Sequence, residues 1–410
     1  MLRRPRLLRR FVAVVRSDPS GVGAGFVALL LSSGGDLVAG LTLGAISNTL
    51  EALPGLLVLI PAAIGMRGNI FGALGSRFST AIHTGTFRVS RRLDTLVGQN
   101  VAASLALSLS ISLVLAVLAK AVSVAFGVAN SISIGDFVVI SVVGGVLSSI
   151  VVLLVVVVVT AVSVRFDLDL DNVHTPIVTA AGDMVTLPGL FLATYLVGIA
   201  WFTPVVAVIC IVAGLIALVV GLRARLPILR SIVRESVPIL AIAGTVDVIA
   251  GITVQKRIES FLLYPALLVL VPPFLEDAGA LGGILSSRIA TKLHLGTVEL
   301  SRAPWRAAAE DIVLVSVYAV PVFFLLGVSA DVVSAVFDLA SPGSLQMIGV
   351  SMLAGVFATT AAVAVGYYGA VATYRLGLDP DNHGIPIVTS SLDFLGAVSL
   401  ILAIVILGLT

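Results

Sequence analysis

Charge is what this chain has least of. Only 11% of its 410 residues are Asp, Glu, Lys or Arg, while 59% are hydrophobic; an average soluble domain carries roughly a quarter charged residues. Its single cysteine, Cys210, lies inside an apolar run, which excludes both a disulfide framework and a thiolate metal site. Four histidines and no HExxH, GxSxG or Cys–His arrangement leave no recognisable hydrolytic or metalloenzyme machinery. Aromatic residues are 6% and scattered, so no aromatic pocket for an organic solute is written into the sequence. The apolar stretches do not alternate with polar residues, which excludes a transmembrane β-barrel.

What the chain does have is a series of apolar runs long enough to cross a hydrocarbon core about 30 Å thick. Hydropathy and breaker residues place eleven spans at about 22–46, 53–80, 95–126, 134–164, 175–198, 202–222, 236–256, 262–290, 307–336, 346–374 and 385–409. The expected fold is an all-α polytopic membrane protein. The opening MLRRPRLLRR lacks the short apolar core and cleavage site of a signal peptide. It reads as a basic cytoplasmic arm, 1–21, that sets topology rather than as a nucleic-acid-binding arm.

Two stretches occur twice. LLVLIPAAIGMRGNIFGALGSRFSTAIHTGT (56–86) returns as LLVLVPPFLEDAGALGGILSSRIATKLHLGT (267–297), shifted by 211. DLDNVHTPIVTAAGD (169–183) returns as DPDNHGIPIVTSSLD (379–393), shifted by 210. The first five and last five spans are therefore copies, 22–200 and 236–410, with 201–235 as a linker span and loop. One extra crossing between two five-helix units makes them parallel, whereas direct joining would invert them. With the N-terminus inside, only Arg67, Lys120, Lys256 and Arg257 of the 24 basic residues fall away from the cytoplasmic side. That bias predicts N-inside, C-outside and parallel repeats in the cell membrane. The arrangement is that of a single-chain pseudo-dimer.

Polar residues inside the spans come next. Asp36 and Asp247 occupy equivalent mid-span places, and Asp183 and Asp393 each lie seven residues after a first-turn proline, Pro176 or Pro386. Thr179 and Thr389, four residues earlier, share the aspartates' helix face. An intramembrane acid marks a functional site by default, and four near one axis cannot all stay ionised without cations or protons to offset them. Oxygen ligands without His or Cys favour Mg²⁺, Ca²⁺ or Mn²⁺. Gly65, Gly68, Gly72 and Gly75 follow near-helical spacing, serving either close helix approach or exposure of backbone carbonyls; Asn69 adds a neutral oxygen. Arg67 aligns with Ala278, so it has no symmetry mate, and it is expected to pair with Glu276 or Asp277. His83 and His294 read as interfacial residues, and Arg77 and Arg288 as headgroup anchors. Asn172 and Asn382 read as caps, with Asp167, Asp169, Asp171, Asp379 and Asp381 as peripheral cation contacts.

IPAAIGMRGN followed by SRFSTAIHTG, with PIVTAAGD and PIVTSSLD after a DN pair, resembles the MgtE-type magnesium transporters. The match is to the branch, including the eukaryotic solute-carrier relatives, that holds two such membrane units in one chain. The resemblance covers both halves. It implies a divalent-cation path between the two repeats, with Asp183 and Asp393 as central metal ligands. The second copy departs from the pattern, with EDAGA in place of GxxGN. No stretch of this chain corresponds to the soluble regulatory domains of bacterial MgtE. The expected function is transport of Mg²⁺, with Mn²⁺ or Co²⁺ as further ions and no bound cofactor. The metal set is Asp183, Asp393, Asp36 and Asp247; Asn69, Gly68, Thr179 and Thr389 line the pathway. Divalent cations and membrane lipid are the expected partners. A sodium- or proton-coupled carrier of another cation or small solute, using the same aspartates, is the alternative.

Overall fold

The computed structural model describes residues 19–88, 92–166, 170–297, 308–378 and 383–409; at 19–22, 24, 166 and 170–176 it describes the backbone alone. Among the described residues all regular structure is helical. In chain order the helices are α1 (Pro19–Ala45), α2 (Ser47–Ala52), α3 (Leu56–His83), α4 (Leu96–Ala125), α5 (Ile134–Phe166), α6 (Leu170–Thr194) and α7 (Phe202–Arg223). They continue with α8 (Pro227–Gln255), α9 (Ile258–Leu263), α10 (Ala266–His294), α11 (Ala309–Val336), α12 (Ser344–Leu376) and α13 (Ile385–Ile406). Eleven of these are long and apolar enough to span a bilayer, in the order the hydropathy predicts. This is a multi-pass membrane protein. The short α2 and α9, absent from the sequence expectation, stand 211 residues apart and belong to the repeat.

Two boundaries differ from expectation, each for a local reason. The seventh span begins at Pro227 rather than near 236. Pro238 lies inside the helix, which a transmembrane helix tolerates when neighbours satisfy the freed backbone groups. The start is secured from α4: Gln99 Oε1 accepts from the backbone N–H of Ile228 (3.1 Å) and Leu229 (3.3 Å), two of the donors every helix N-terminus leaves unmatched. The fifth span begins at Leu170, so Pro176 lies within it, whereas Pro386 opens α13 as expected.

Polarity is reversed relative to a soluble protein. Val208, Ile209, Ile216 and Val220 of α7 face outward, while Ser104, Ser108, Ser112, Ser141, Ser148 and Ser149 are buried. Hydrocarbon offers no hydrogen bonds, so polar groups turn inward. Ser141 Oγ donates to the Ser112 carbonyl at 2.7 Å, joining α4 to α5. Ser351 Oγ donates to the Phe323 carbonyl at 2.6 Å, joining α11 to α12 in the same way.

The chain divides into two compact units. A continuous unit runs Val38–Ile258; a split unit joins the described residues up to Leu37 with Glu259 onward. In the continuous unit α3 is central, packed by α4, α5, α6 and α8, while the linker α7 lies on α4 and α5. In the split unit α10 is central, packed by α11, α12 and α13. These units do not divide the chain where the sequence copies do. Helix α8, the first span of the second copy, packs on α3 and α4 of the first copy. The N-terminal part of α1 packs on the second copy: Phe26 meets Tyr318 and Ser33 meets Asp277.

Candidate functional site

In the continuous unit α3 and α6 meet through glycine. A Cβ at Gly68 would stand 3.7 Å from Thr179 Cγ2, and one at Gly182 would stand 3.4 Å from Arg67 Cβ. Glycine on both helices brings the α3 backbone beside Thr179 and beside Gly182, the residue before Asp183. In the split unit α10 and α13 repeat the contact. A Cβ at Gly279, the partner of Gly68, would stand 3.6 Å from Thr389 Cβ and 3.8 Å from Asp393 Oδ1. Thus each unit sets a glycine against a threonine that lies four residues before an aspartate, and in the split unit the glycine also meets that aspartate.

Asp36 and Asp247 are fully buried, Asp183 is 2% exposed, and Asp393 is half-buried. Each of the four is engaged by a polar or electrostatic neighbour. Asp247 and Asp183 belong to the continuous unit, Asp36 and Asp393 to the split unit. Thr389 Oγ1 donates to the carbonyls of Ile385 (3.1 Å) and Pro386 (3.2 Å). Its proton is thereby committed to the helix, and its lone pairs remain for an acceptor or ligand role. Asn69 is half-buried beside Gly68. Among the described residues no three His, Cys, Asp or Glu side chains gather as a ready metal cage.

Two charged residues without exact repeat partners, Arg67 and Asp277, are engaged within their own units. Arg67 is 1% exposed, and its Nη2 donates to Ser112 Oγ at 3.3 Å. Room for the guanidinium comes from Gly145, where a Cβ would strike both Arg67 Nη2 and Ser112 Oγ. Asp277, 1% exposed, accepts from Ser33 Oγ at 2.6 Å. In each unit a serine supplies the polar contact.

Arg77 and Arg288 are also more than headgroup anchors. Arg77 Nε donates to Asn100 Oδ1 at 2.6 Å; Arg288 Nε donates to Asp311 Oδ1 at 2.8 Å, and Lys292 pairs with the other oxygen at 2.5 Å. Asn100 and Asp311 lie 211 residues apart, as the arginines do, so extending the repeat register beyond the quoted motifs would have found both clamps. His83 is exposed, and the His294 ring lies edge-on to Tyr374 at 5.1 Å. The proposed peripheral contacts Asp167, Asp169, Asp379 and Asp381, with Asn382, lie outside the described residues, as do the side chains of Asp171 and Asn172.

Known proteins resemble this chain over most of its length. The family model described as MgtE, divalent cation transporter, fits residues 60–193 and 271–403, one match per sequence copy. Solute carrier family 41 member 3 of Rattus norvegicus is 25% identical over 90% of this chain and 84% of its own length. Solute carrier family 41 member 2 of Homo sapiens is 26% identical over 92% of this chain and 69% of its own length. No solved structure matches.

Proposed function

The chain belongs to the MgtE family of divalent cation transporters, and on that premise we propose that it carries Mg²⁺ across the membrane along a path contacted by Asp183 and Asp393. The observation that carries the reading is the duplicated constellation: glycine opposite threonine, one turn from an intramembrane aspartate, in each unit. A buried carboxylate is costly unless a cation or proton offsets it. A threonine whose proton is committed to its own helix can present oxygen to that cation, and the glycine opposite leaves room for it.

Magnesium suits so sparse a set of ligands. It keeps several waters and takes one or two carboxylates, whereas Ca²⁺ asks for six to eight oxygens. With no three acidic or histidine side chains gathered among the described residues, waters supply the remaining ligands. Asp36 and Asp247, buried on α1 and α8, add negative potential along the path. Asn69 adds a neutral oxygen.

The test uses purified protein, read by Mg²⁺-dependent thermal stabilisation and by Mg²⁺ flux in proteoliposomes. The double variant Asp183→Asn/Asp393→Asn should lose both. Thr179→Ala/Thr389→Ala should only weaken them, because it removes a neutral oxygen and no charge. A double Asp variant with wild-type stabilisation and flux would place the path elsewhere.

A further inference from the structure

We propose that Asp277 is a proton-binding site of the split unit: held as a carboxylic acid against Ser33, it gives up its proton to water when a cation reaches Asp393. The exchange rests on Asp393 being a cation contact, as proposed for the transport path, and goes beyond it by naming the group that trades a proton for the ion.

Ser33 Oγ stands between two oxygens, 2.9 Å from the Leu29 carbonyl and 2.6 Å from Asp277 Oδ1. A serine hydroxyl carries one proton, and a carbonyl can only accept. With Asp277 ionised, two acceptors compete for that proton. With Asp277 protonated, its Oδ1–H donates to Ser33 Oγ and the serine donates to Leu29, so both contacts are full hydrogen bonds. The other carboxyl oxygen agrees. Asp277 is 1% exposed, and its Oδ2 has no hydrogen-bond partner among the described residues. A buried carboxylate left this way neutralises itself by taking a proton, and an unpartnered oxygen costs less on a neutral group than on a charged one.

Among the described residues of the split unit no cation offsets Asp277. On α1, Asp36 follows Ser33 by three residues; on α10, Glu276 is the preceding residue. Asp393 of α13 lies against Gly279, two residues on. All three are acids. Of the other helices packed on α10, α11 brings Tyr318, which lies against Phe26 of α1, and α12 brings Tyr367, edge-on to Tyr368. The basic residues of α10, Arg288 and Lys292, begin about 16 Å along the helix and hold Asp311. One carboxyl and one hydroxyl, closed to water, are too few oxygens for a metal ion such as octahedral Mg²⁺. A proton needs only one.

The repeat shows that packing does not require this pair. Ser33 and Asp277 correspond to Gly244 and Met66, each 211 residues away, and there a Cβ on the glycine would stand 3.4 Å from Met66 Cε. Glycine against methionine closes the same helix contact without a hydroxyl or a carboxyl. The serine and the acid are additions to a contact that forms without them.

Gly279 sets Asp393 beside the same turn of α10 that carries Asp277, since a Cβ there would stand 3.8 Å from Asp393 Oδ1. Buried charges are weakly screened, so a divalent cation at Asp393 favours the ionised form of Asp277. By linkage, a proton on Asp277 weakens cation binding by the same factor. Mg²⁺ affinity therefore falls as pH falls, by roughly tenfold per pH unit for one proton displaced per ion.

Infrared difference spectroscopy on the purified full chain reads the acid directly, and a pH dye in weak buffer counts the protons that Mg²⁺ releases. Wild type should show at neutral pH a carboxylic-acid band that Asp277→Asn lacks. Mg²⁺ should remove that band and release about one more proton per chain from wild type than from Asp277→Asn. Ser33→Ala should keep the band and move it to higher frequency, because the acid loses its hydrogen-bond acceptor. Ser33→Gly/Asp277→Met, the pair the continuous unit packs, replaces Asp277→Asn should that variant lose its unfolding transition. Absence of the band, a band that Mg²⁺ leaves unchanged, or equal proton release from wild type and Asp277→Asn overturns the proposal. If Asp183→Asn/Asp393→Asn keeps wild-type Mg²⁺ stabilisation and flux, the proposed path falls and takes the exchange with it, while the band still reports Asp277 as an acid.

Discussion

Helix α8 lies on α3 with backbone nearly in contact, and that closeness can be broken with one methyl group. A Cβ at Gly251 would strike the Val58 carbonyl oxygen and stand 2.8 Å from its carbon and 2.9 Å from its Cα. None of these is a flexible side-chain end, so Gly251→Ala must push the two helices apart. Overpacking of this kind costs about 1–3 kcal/mol, partly offset by the higher helix propensity of alanine, worth up to about 1 kcal/mol. For a unit of this size each kcal/mol lowers the unfolding temperature by roughly 2–4 °C, so a net cost of about 1–2 kcal/mol, the middle of that range, gives an expected drop of about 2–8 °C. Gly72→Ala is the control, because a Cβ there meets nothing within 4 Å and only the propensity gain remains. Both are measured by thermal unfolding in the same detergent at one scan rate, since unfolding of such a protein is often irreversible. Equal melting of the two variants would mean that α8 does not pack on α3 in this register, and the assignment of α8 to the continuous unit would fail with it.

Two further outcomes are expected. Asp311 is 1% exposed and joins Arg288 and Lys292, whose side chains are 39% and 31% exposed. Asp311→Ala should lower stability by about 1–3 kcal/mol, discounted for that exposure; Asp311→Asn should cost less, because asparagine holds the equivalent Arg77 clamp, and a larger loss with Asn than with Ala would refute this. In a Cys210→Ala background, an impermeant maleimide should label Arg225→Cys only from the cytoplasmic side and Ala129→Cys only from outside; the reverse pattern would overturn the N-inside orientation.

Much of this protein was legible before its tertiary structure. A membrane helix satisfies its own backbone, so its existence depends on a local run of apolar residues and on nothing distant. For that reason the eleven spans, their order and the duplication were all readable. The polar intramembrane positions were readable too, because Asp36, Asp183, Asp247 and Asp393 interrupt sequence in which charge is rare. Helix starts were less so: Gln99 caps α8 from more than a hundred residues away, and no local rule reports such a partner.

What only the tertiary structure decided is which copy each first span packs against. Ser33 lies on Asp277 in the split unit, and a Cβ at Gly244 would stand 3.4 Å from Met66 Cε in the continuous unit. These are equivalent pairs in the repeat. A first span docked on its own copy's second span would meet an equivalent surface, so duplication leaves the two packings nearly degenerate in sequence terms. The choice lies in non-local complementarity: a serine hydroxyl for a buried carboxylate in one unit, and glycine for a methionine in the other. The same holds for Arg67, whose cost in the membrane was plain from sequence, while the serine and the two glycines that accommodate it come from three other stretches of chain brought together only by folding.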